Sequence, residues 1–441
     1  MNVKRNGGIR MKNILLAGAA RRDITPQVGT LLYGYNPHQV STSVHDPLNV
    51  TSVALSDEQK TVVMMTVTVG DFQTELCTEL RSRIGEACGI PAENVVISAT
   101  HTHSAPNVAG FEGWGEIDRP YVDAILAPAM LESATEALRS MKPAVLGVGT
   151  CESHVGINRR QHNRDGSISL GQNPWGCYDP TMTVLSLKGT DGVGIINMIH
   201  YGCHGTAAGC NHEISRDWSG IMCDRLECVT GVLTAYWNGA QGDVGPRLTN
   251  GQTTGDIRYV EELGGVAAQD ALTAYRAISG YNEAELRLHR GVVRLPYREL
   301  PTLDEVRAKL SGYTDPDSLY NISRLWYSHW RDVEALLTDE NAEHPTHFTF
   351  DQTIVALGDT AFVPFPYEMF SAITRRLSAY SPYRRTLSLS NTNGYNAYLP
   401  SEDQVCLGGY EVECFAAGAV FTLTDNADQY IISEDLRIME S

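Results

Sequence analysis

The chain has 441 residues, of which 42% are hydrophobic and 20% are charged, so it can bury a large core and is expected to fold throughout. Its formal charge is -18, and it has no cluster of lysines and arginines, which argues against nucleic acid as a partner. No apolar run reaches the roughly 20 residues that a transmembrane helix needs.

The N-terminal region offers two possible starts. Residues 1–10 are interpreted as an upstream extension or a tag remnant, since Met11 could also begin the natural chain. The segment "MKNILLAGAARRDITP" begins like a signal peptide, but its apolar part is shorter than the roughly 7–15 residues typical of such a signal, so we interpret it as a first core strand. The ten cysteines show no CxxC spacing, which favours reduced thiols and a cytoplasmic protein.

Apolar, β-branched runs alternate along the chain with amphipathic stretches. Three runs predict buried strands and three stretches predict helices: 61–69, 94–99 and 193–201 for the strands, and 73–88, 119–141 and 256–278 for the helices. This alternation predicts an α/β fold, a mixed β-sheet core flanked by helices, in a single domain over residues 11–441. Residues 301–342 are the most polar helical region and are predicted to form a helical insertion or lid.

Two histidines, His101 and His103, stand at the end of the predicted strand in "NVVISATHTHSAPN". Residues two apart in a strand face the same side, so both imidazoles are expected to point into one space where the strand meets a loop. That placement suits a metal ligand with a neighbouring catalytic partner. Two core histidines satisfied by hydrogen bonds are the alternative.

A second apolar strand, "GIINMIHYGCHGTAAG", also leads to a histidine followed by small residues. His204 is expected at the exit of this strand, facing open space, and taken alone it fits a structural and a functional role equally well. His200 is embedded in the apolar run and is predicted to have a core role.

The segment "YWNGAQGDVGP" is an apolar strand that leads into a glycine-rich turn. Its glycines permit positive φ and a close approach of the backbone to a ligand, so main-chain N–H groups could face an anion or a carbonyl. Gly242, Asp243 and Gly245 are therefore candidate substrate-binding residues. A plain tight turn is the alternative.

Two late segments also carry polar side chains. In "FVPFPYEMFSAI" a helix is predicted to begin near Tyr367, which places Glu368 in its first turn, where the helix dipole alone would favour a carboxylate. Three tyrosines, Tyr395, Tyr398 and Tyr410, follow in loop-like sequence. Tyrosine is a rare zinc ligand, so chemistry alone does not select Tyr398.

Together these segments resemble the neutral, non-lysosomal ceramidase family. The similar segments are "AGAARRDITPQVGTLLYGY", "SATHTHSAPN", "GINRR", "HYGCHGTAAG", "NGAQGDVGP", "FVPFPYE" and "NGYNAYLPSEDQVCLGGYE". They occur in the family's order from about residue 15 to about residue 435. The resemblance implies the catalytic domain of that family, as a shorter homologue without its export signal and C-terminal immunoglobulin-like domain.

The resemblance also implies a metal site and its chemistry. It implies a Zn²⁺ ion held by His101, His204, Glu368 and Tyr398. It implies that His103, Arg159 and Tyr410 line the reaction centre. Metal-activated water would attack an amide carbonyl of a small-molecule substrate, with His103 shuttling the proton and Arg159 or Tyr410 stabilising the oxyanion. Asp217 is expected to orient a ligand or to contact the substrate.

Two departures from the family limit this expectation. Gly245 stands where the family has a serine, which excludes a serine mechanism at that position. The loops "GQNPWGCYDP" and "NPHQVSTSVHDP" are polar and aromatic, which favours a small or polar substrate over membrane ceramide. The alternatives are zinc-dependent cleavage of an ester, lactone or glycosidic bond, and a non-catalytic metal- or carbohydrate-binding homologue. The sequence leaves a homo-oligomer open.

Overall fold

The structure is a computed structural model that describes residues 14–441. The interpretation of residues 1–10, and of Met11 as a start, lies outside the described residues. Within 14–441, every helix is too short or too polar to cross a membrane. All ten cysteines are free thiols.

The described chain is built of short strands and helices that alternate along much of its length. The strands are β1 Leu16–Asp23, β2 Ser43–Val44, β3 Asn49–Ser56, β4 Thr61–Val67, β5 Val95–Ala99, β6 Lys142–Glu152, β7 Gly156–Asn158, β8 Arg160–His162, β9 Ile168–Leu170, β10 Thr181–Gly189, β11 Gly194–Tyr201, β12 Glu213–Ile214, β13 Thr234–Asn238, β14 Val244–Pro246, β15 Leu286–Pro296, β16 His347–Leu357, β17 Thr360–Pro364, β18 Glu368–Met369, β19 Arg385–Leu389 and β20 Tyr398–Leu399. The α-helices are α1 Thr74–Cys88, α2 Arg119–Tyr121, α3 Ala127–Arg139, α4 Asp217–Thr230, α5 Ile257–Arg276, α6 Leu303–Leu310, α7 Asn321–Thr338, α8 Ser371–Tyr380, α9 Glu402–Val405, α10 Tyr410–Ala417 and α11 Ala427–Met439.

Two large mixed sheets form the core, which confirms the predicted fold class. The first has eight strands in the order β13-β11-β10-β6-β1-β3-β4-β5, and the second has four in the order β15-β16-β17-β19. The six runs and stretches predicted from periodicity match β4, β5, β11, α1, α2 to α3 and α5 to within a few residues.

The two sheets pack face to face between two layers of helices. In β4, Val62 and Met64 point into the core shared with the four-stranded sheet, while Val63 and Met65 pack against α1 and α3. Because successive side chains of a strand point to opposite faces, a strand buried on both faces needs a continuous apolar run. That requirement explains the segment "TVVMMTV".

The predicted helical region 301–342 contains α6 and α7. Leu325 of α7 is buried in the same core as the four-stranded sheet, and the side chain of His329 bonds to the carbonyl of Ala419. The region is helical as predicted, and it packs along α10. A lid role stays a prediction.

Asp435 of α11 has a buried carboxyl group whose protonation should make the free energy of unfolding depend on pH. Gln352 donates one hydrogen bond to its Oδ1 at 3.0 Å, while Oδ2 has no partner within residues 14–441. Burial raises the pKa of Asp435 from 3.8 to about 8. Between pH 3.8 and about pH 8, the folded state therefore binds more protons than the unfolded state. The contribution of Asp435 to stability is greatest below its pKa in the unfolded chain and is lost as the pH rises through its pKa in the folded protein.

We expect Asp435→Asn to remove part of this pH dependence. Between about pH 5 and about pH 8, the free energy of unfolding of the wild type should fall relative to the variant by on the order of 3 kcal/mol. Urea unfolding at both pH values measures the difference. Parallel curves for the two proteins would show that Asp435 is not protonated in the folded state.

Candidate metal centre

The candidate centre lies where several parallel strands end. Parallel pairs occur between β4 and β5, β11 and β13, and β17 and β19, and a loop carrying polar side chains follows each of these strands. The carboxyl ends of parallel strands meet at one edge of a sheet, where α/β proteins place their ligands. The topology therefore gathers residues that are as far apart as Asp71 and Tyr398 in the sequence.

His101 and His103 lie close together, but not as neighbours on one strand. β5 ends at Ala99, and His101 has a φ of 64°, in the left-handed region. The bridge between Thr102 and Gly205 then fixes the loop against the segment after β11. The rings of His101 and His103 are 4.8 Å apart. The predicted proximity is present, whereas the strand geometry proposed for it is wrong.

Glu368 and Tyr398 are held opposite each other by two short strands. β18 and β20 pair in parallel with Glu368 in register with Tyr398. The predicted helix start near Tyr367 is wrong, because α8 begins only at Ser371. Tyr398 likewise lies in a strand and not in a loop.

Backbone and side-chain acceptors fix the tautomers of two imidazoles. Nδ1 of His101 lies 3.1 Å from both the Gly70 carbonyl and an Asp71 carboxylate oxygen. Nδ1 of His204 lies 2.7 Å from the carbonyl of Gln241. Since these partners accept, both Nδ1 atoms carry a proton, so each ring can bind a metal ion only through its Nε2, once that nitrogen is unprotonated.

Four ligand atoms, these two Nε2 atoms among them, converge in one place. Oε2 of Glu368 lies 3.4 Å from Nε2 of His101 and 3.0 Å from Nε2 of His204, and the Tyr398 hydroxyl lies 3.4 Å from Nε2 of His204. All four side chains are at most 3% exposed. A buried carboxylate that faces two imidazole nitrogens needs a compensating positive charge, either a proton on one ring or a metal ion between them.

The electrostatics of the cluster agree with that requirement. Burial lowers the pKa of His101, but the carboxylates of Asp71 and Glu368 outweigh it and raise this pKa to about 10. Burial and the charge of Arg159 lower the pKa of His204 to about 3. Burial raises the pKa of Glu368, but the two histidines outweigh it and hold this pKa well below its usual range. The cluster thus holds a carboxylate that one proton or one metal ion must balance.

The residues present fit zinc. In a tetrahedral zinc site with bonds of about 2.0–2.2 Å, neighbouring ligand atoms stand about 3.3–3.6 Å apart, close to the 3.0–3.4 Å separations seen here. Nitrogen and oxygen donors are also the ligands that zinc takes. Two overlapping groups of three could hold a metal ion: His101, His103 and His204, and Asp71, His101 and Glu368.

Solved structures match the fold of this chain, whereas sequence comparisons find no relative. No protein-family model and no curated protein matches the sequence. Neutral ceramidase from Pseudomonas aeruginosa matches with a TM-score of 0.74 and 18% identity, over 97% of this chain and 75% of that one. The chain has the neutral ceramidase fold. A solved ceramidase "complexed with C2" matches with a TM-score of 0.68 and 17% identity, over 97% of this chain and 76% of that one.

The predicted resemblance to the neutral ceramidase family is thus confirmed at the level of the fold. At 17–18% identity the likeness carries the backbone arrangement and nothing finer. What the cluster binds and does therefore depends on its own side chains.

The three residues predicted to line the reaction centre all reach the cluster. Nε2 of His103 lies 3.2 Å from Nε2 of His101, and a nitrogen of Arg159 donates to the Tyr398 hydroxyl at 2.9 Å. The ring of Tyr410 packs edge-on against Tyr398, with centroids 5.9 Å apart. Burial, followed by the charges of His101 and His204, lowers the pKa of His103 well below its usual value, so its imidazole is neutral.

Asp217 supports the loop that carries His204 and lies behind the cluster. Its two carboxylate oxygens accept hydrogen bonds from the backbone N–H groups of Ala207 and Ala208, at 3.1 and 2.9 Å. It therefore acts on His204 through the backbone, in line with an orienting role. Contact with substrate stays a prediction.

The glycine-rich turn of the neutral ceramidase fold is used internally. The N–H of Gly242 donates to the carbonyl of Met369, and the carboxylate of Asp243 accepts from both the N–H and the hydroxyl of Ser371. These contacts tie the turn to the segment after Glu368. The N–H of Gly242 therefore does not face an anion, as the tight-turn alternative expects, and substrate binding by this turn stays a prediction.

Gly245 has no room for a side chain. A Cβ at this position would lie 2.6 Å from Cβ of Thr253, which is buried. The chain carries no nucleophilic hydroxyl at position 245.

Sequence reasoning missed four residues that hold the cluster in place. Asp71 and Gln241 brace the two imidazoles from behind, Tyr395 donates to Oε1 of Glu368 at 2.9 Å, and Glu411 binds Arg159. Asp71 and Gln241 directly follow β4 and β13, so the rule that ligands gather at the carboxyl ends of parallel strands could have found them.

Asp71→Asn should weaken metal binding without unfolding the protein. A carboxylate behind a ligating imidazole raises its basicity, and the loss of such a partner typically costs about 10–100-fold in metal affinity. Competition with a chromogenic zinc chelator measures the change. Asp191→Asn, at an exposed carboxylate paired with Lys142, is the control and should bind zinc as the wild type does. Equal affinity of Asp71→Asn and wild type would remove Asp71 from the site.

Proposed function

We propose that the chain is a zinc-dependent hydrolase that uses metal-activated water to cleave an amide bond of a small or polar N-acyl substrate. The observation that carries the proposal is the convergence of His101, His204, Glu368 and Tyr398, with two imidazole nitrogens and a buried carboxylate within 3.0–3.4 Å. The match in fold to two solved ceramidases supports the amide bond as the target.

Zinc, when bound by these four residues, lowers the pKa of a coordinated water to about 7 and polarises a carbonyl oxygen. His103 is neutral and lies beside the cluster, so its free imidazole nitrogen can take a proton from the attacking water and return it to the leaving amine. A general base of this kind needs its lone pair at the reacting centre, which the position of His103 provides.

Arg159 supplies a fixed positive charge for the developing oxyanion. Burial opposes its charged form, but Tyr398 and Glu411 raise the pKa of Arg159, so the guanidinium stays protonated. Burial raises the pKa of Tyr410 well above its usual value, so its hydroxyl keeps the proton that it can donate. Preorganised donors of this kind typically contribute about 2.7–4 kcal/mol each to the transition state.

The exposure of the cluster favours a compact substrate. The four proposed ligands are buried, whereas His103 is partly exposed and contacts the ring of Tyr35, with centroids 5.0 Å apart. Substrate would therefore approach from the side of His103 and Tyr35. A small acyl group fits such an approach better than the two chains of a membrane ceramide.

The test combines metal analysis with a panel of N-acyl substrates. Purified protein should contain about one zinc per chain, and it should release a primary amine from short-chain N-acyl amines, amino acids or amino sugars. Detergent-dispersed ceramide should be a poor substrate in the same assay. Release of acid or alcohol from esters or glycosides without any amine would overturn the amide assignment, and rapid ceramide turnover would overturn the substrate size.

A further inference from the structure

A second cavity lies between α6, α7 and the segment that follows α10. Its volume is about 440 Å³, within the range of roughly 300–1,000 Å³ typical of small-molecule sites. Trp326, His329, Trp330 and Val333 of α7 form one wall. We call this cavity the tryptophan pocket.

Aromatic rings dominate one wall of the tryptophan pocket. The indoles of Trp326 and Trp330 stack with centroids 5.4 Å apart and an angle of 17°, and His329 packs edge-on against both. Both indoles are only partly buried. Tryptophans that are stacked but not covered offer a flat apolar surface, a feature that is more common in binding sites than in cores.

Several polar groups of the pocket are free for a ligand. The ammonium of Lys309, the carboxylate of Glu299 and the indole N–H groups have no protein partner within residues 14–441. His329 uses Nδ1 to donate to the Ala419 carbonyl, which leaves its Nε2 as a free acceptor on the neutral ring.

The pocket carries charges of both signs. Arg298 is paired with Asp425, and the Glu305 carboxylate accepts only from neutral groups of Thr302 at the start of α6, so it keeps its charge. Lys309 and Glu299 add one cation and one anion without a partner within residues 14–441. A strongly charged ligand of either sign would therefore meet a like charge at the rim. A neutral ligand with several hydroxyl groups could instead accept from Lys309 and the indoles and donate to Glu299 and His329.

We propose that the tryptophan pocket binds a neutral hydroxylated ring, a pyranose sugar, whose C–H face stacks on the indoles while its hydroxyls bond to Lys309, Glu299 and His329. The pocket is separate from the metal cluster. Ala416 of α10 lines it, and Tyr410 lies six residues earlier on the same helix, or about 9 Å along the axis. The proposal therefore stands independently of the proposed hydrolase activity.

The test measures binding of methyl glycosides of glucose, galactose and mannose, none of which carries an amide bond, to the full chain, by calorimetry and tryptophan fluorescence. At least one should bind with a Kd of about 1 mM or below. Trp330→Ala should weaken that binding at least about tenfold. Trp175→Ala is the matched control, because Trp175 is 92% exposed and lies outside the pocket, and it should bind as the wild type does.

A second variant, a metal chelator and indole complete the test of sugar binding at the tryptophan pocket. Lys309→Ala changes an exposed helix position, so it should fold normally and still weaken sugar binding, even if Trp330→Ala proves unstable. Binding should be unchanged by a metal chelator, which separates this site from the metal cluster. The proposal is overturned if none of the glycosides binds at millimolar concentration, if binding survives in both pocket variants, or if indole binds at the pocket and the sugars do not.

Discussion

Replacing His101 with alanine should remove zinc from the protein and lower the rate of amide hydrolysis by far more than about 100-fold. Loss of a residue that only hydrogen-bonds to a metal ligand typically costs up to about 100-fold, and His101 is itself a proposed ligand. His101 is the residue that joins the two candidate metal groups, and its Nε2 lies within 3.4 Å of both Glu368 and His103. Without it, the carboxylates of Asp71 and Glu368 would lose the group that separates and balances them. Elemental analysis and amine release, measured on the same preparation, give both readouts.

The control for this variant is His344→Ala, at an exposed histidine remote in sequence from the cluster. It should keep its zinc and its activity. Circular dichroism and a thermal melt are needed beside the assay, because burying two carboxylates without a cation destabilises a fold. A folded His101→Ala protein with full zinc content and full activity would end the proposed assignment.

The sequence predicted the core elements well because burial on two faces leaves a strong local signal. β4 and β5 are apolar at nearly every position, and α1 and α5 keep a helical spacing of buried residues. Such signals depend on neighbours along the chain, so one sequence is enough to find them. Boundaries near polar loops are less certain, since the run 61–69 is a strand only to Val67.

The cluster was predictable only in part, because its geometry depends on contacts between distant segments. The register of Glu368 with Tyr398 joins two strands of two residues each, too short to leave any periodicity. His101 reaches the cluster through a positive φ and not through strand alternation. The resemblance selected side chains that the structure brings together, whereas local pattern reasoning placed Glu368 in a helix that begins three residues later.

Backbone strain is concentrated around the same cluster. Positive φ occurs at His101, Asn391, Asn393 and Ala397, in loops that carry or support the proposed ligands, and at Asp217, the first residue of α4. A non-glycine residue in this region costs on the order of 1–3 kcal/mol and persists only where the surroundings impose it. The number of residues with positive φ indicates that these segments hold the geometry of the cluster at a cost in stability.

Glu411→Gln should destabilise the protein by about 3–5 kcal/mol, the usual cost of removing one partner from a buried ion pair. The carboxylate of Glu411 accepts from Arg159 and from Arg160, each at 2.8 Å, and all three side chains are almost fully buried. Glutamine keeps the shape but leaves two guanidinium charges without a counter-ion and turns an amide N–H₂ towards one of them. Urea unfolding measures the loss of stability.

Glu411→Gln should also lower kcat in whatever fraction stays folded, because Arg159 would no longer be held against the Tyr398 hydroxyl. Glu413→Gln is the matched control on the same helix: its carboxylate has no partner within residues 14–441, so the free energy of unfolding should change by no more than about 0.5 kcal/mol. If both variants unfold at the wild-type urea concentration, the two arginines are balanced by other groups. The positioning of Arg159 would then have to come from Tyr398 and Tyr410 alone.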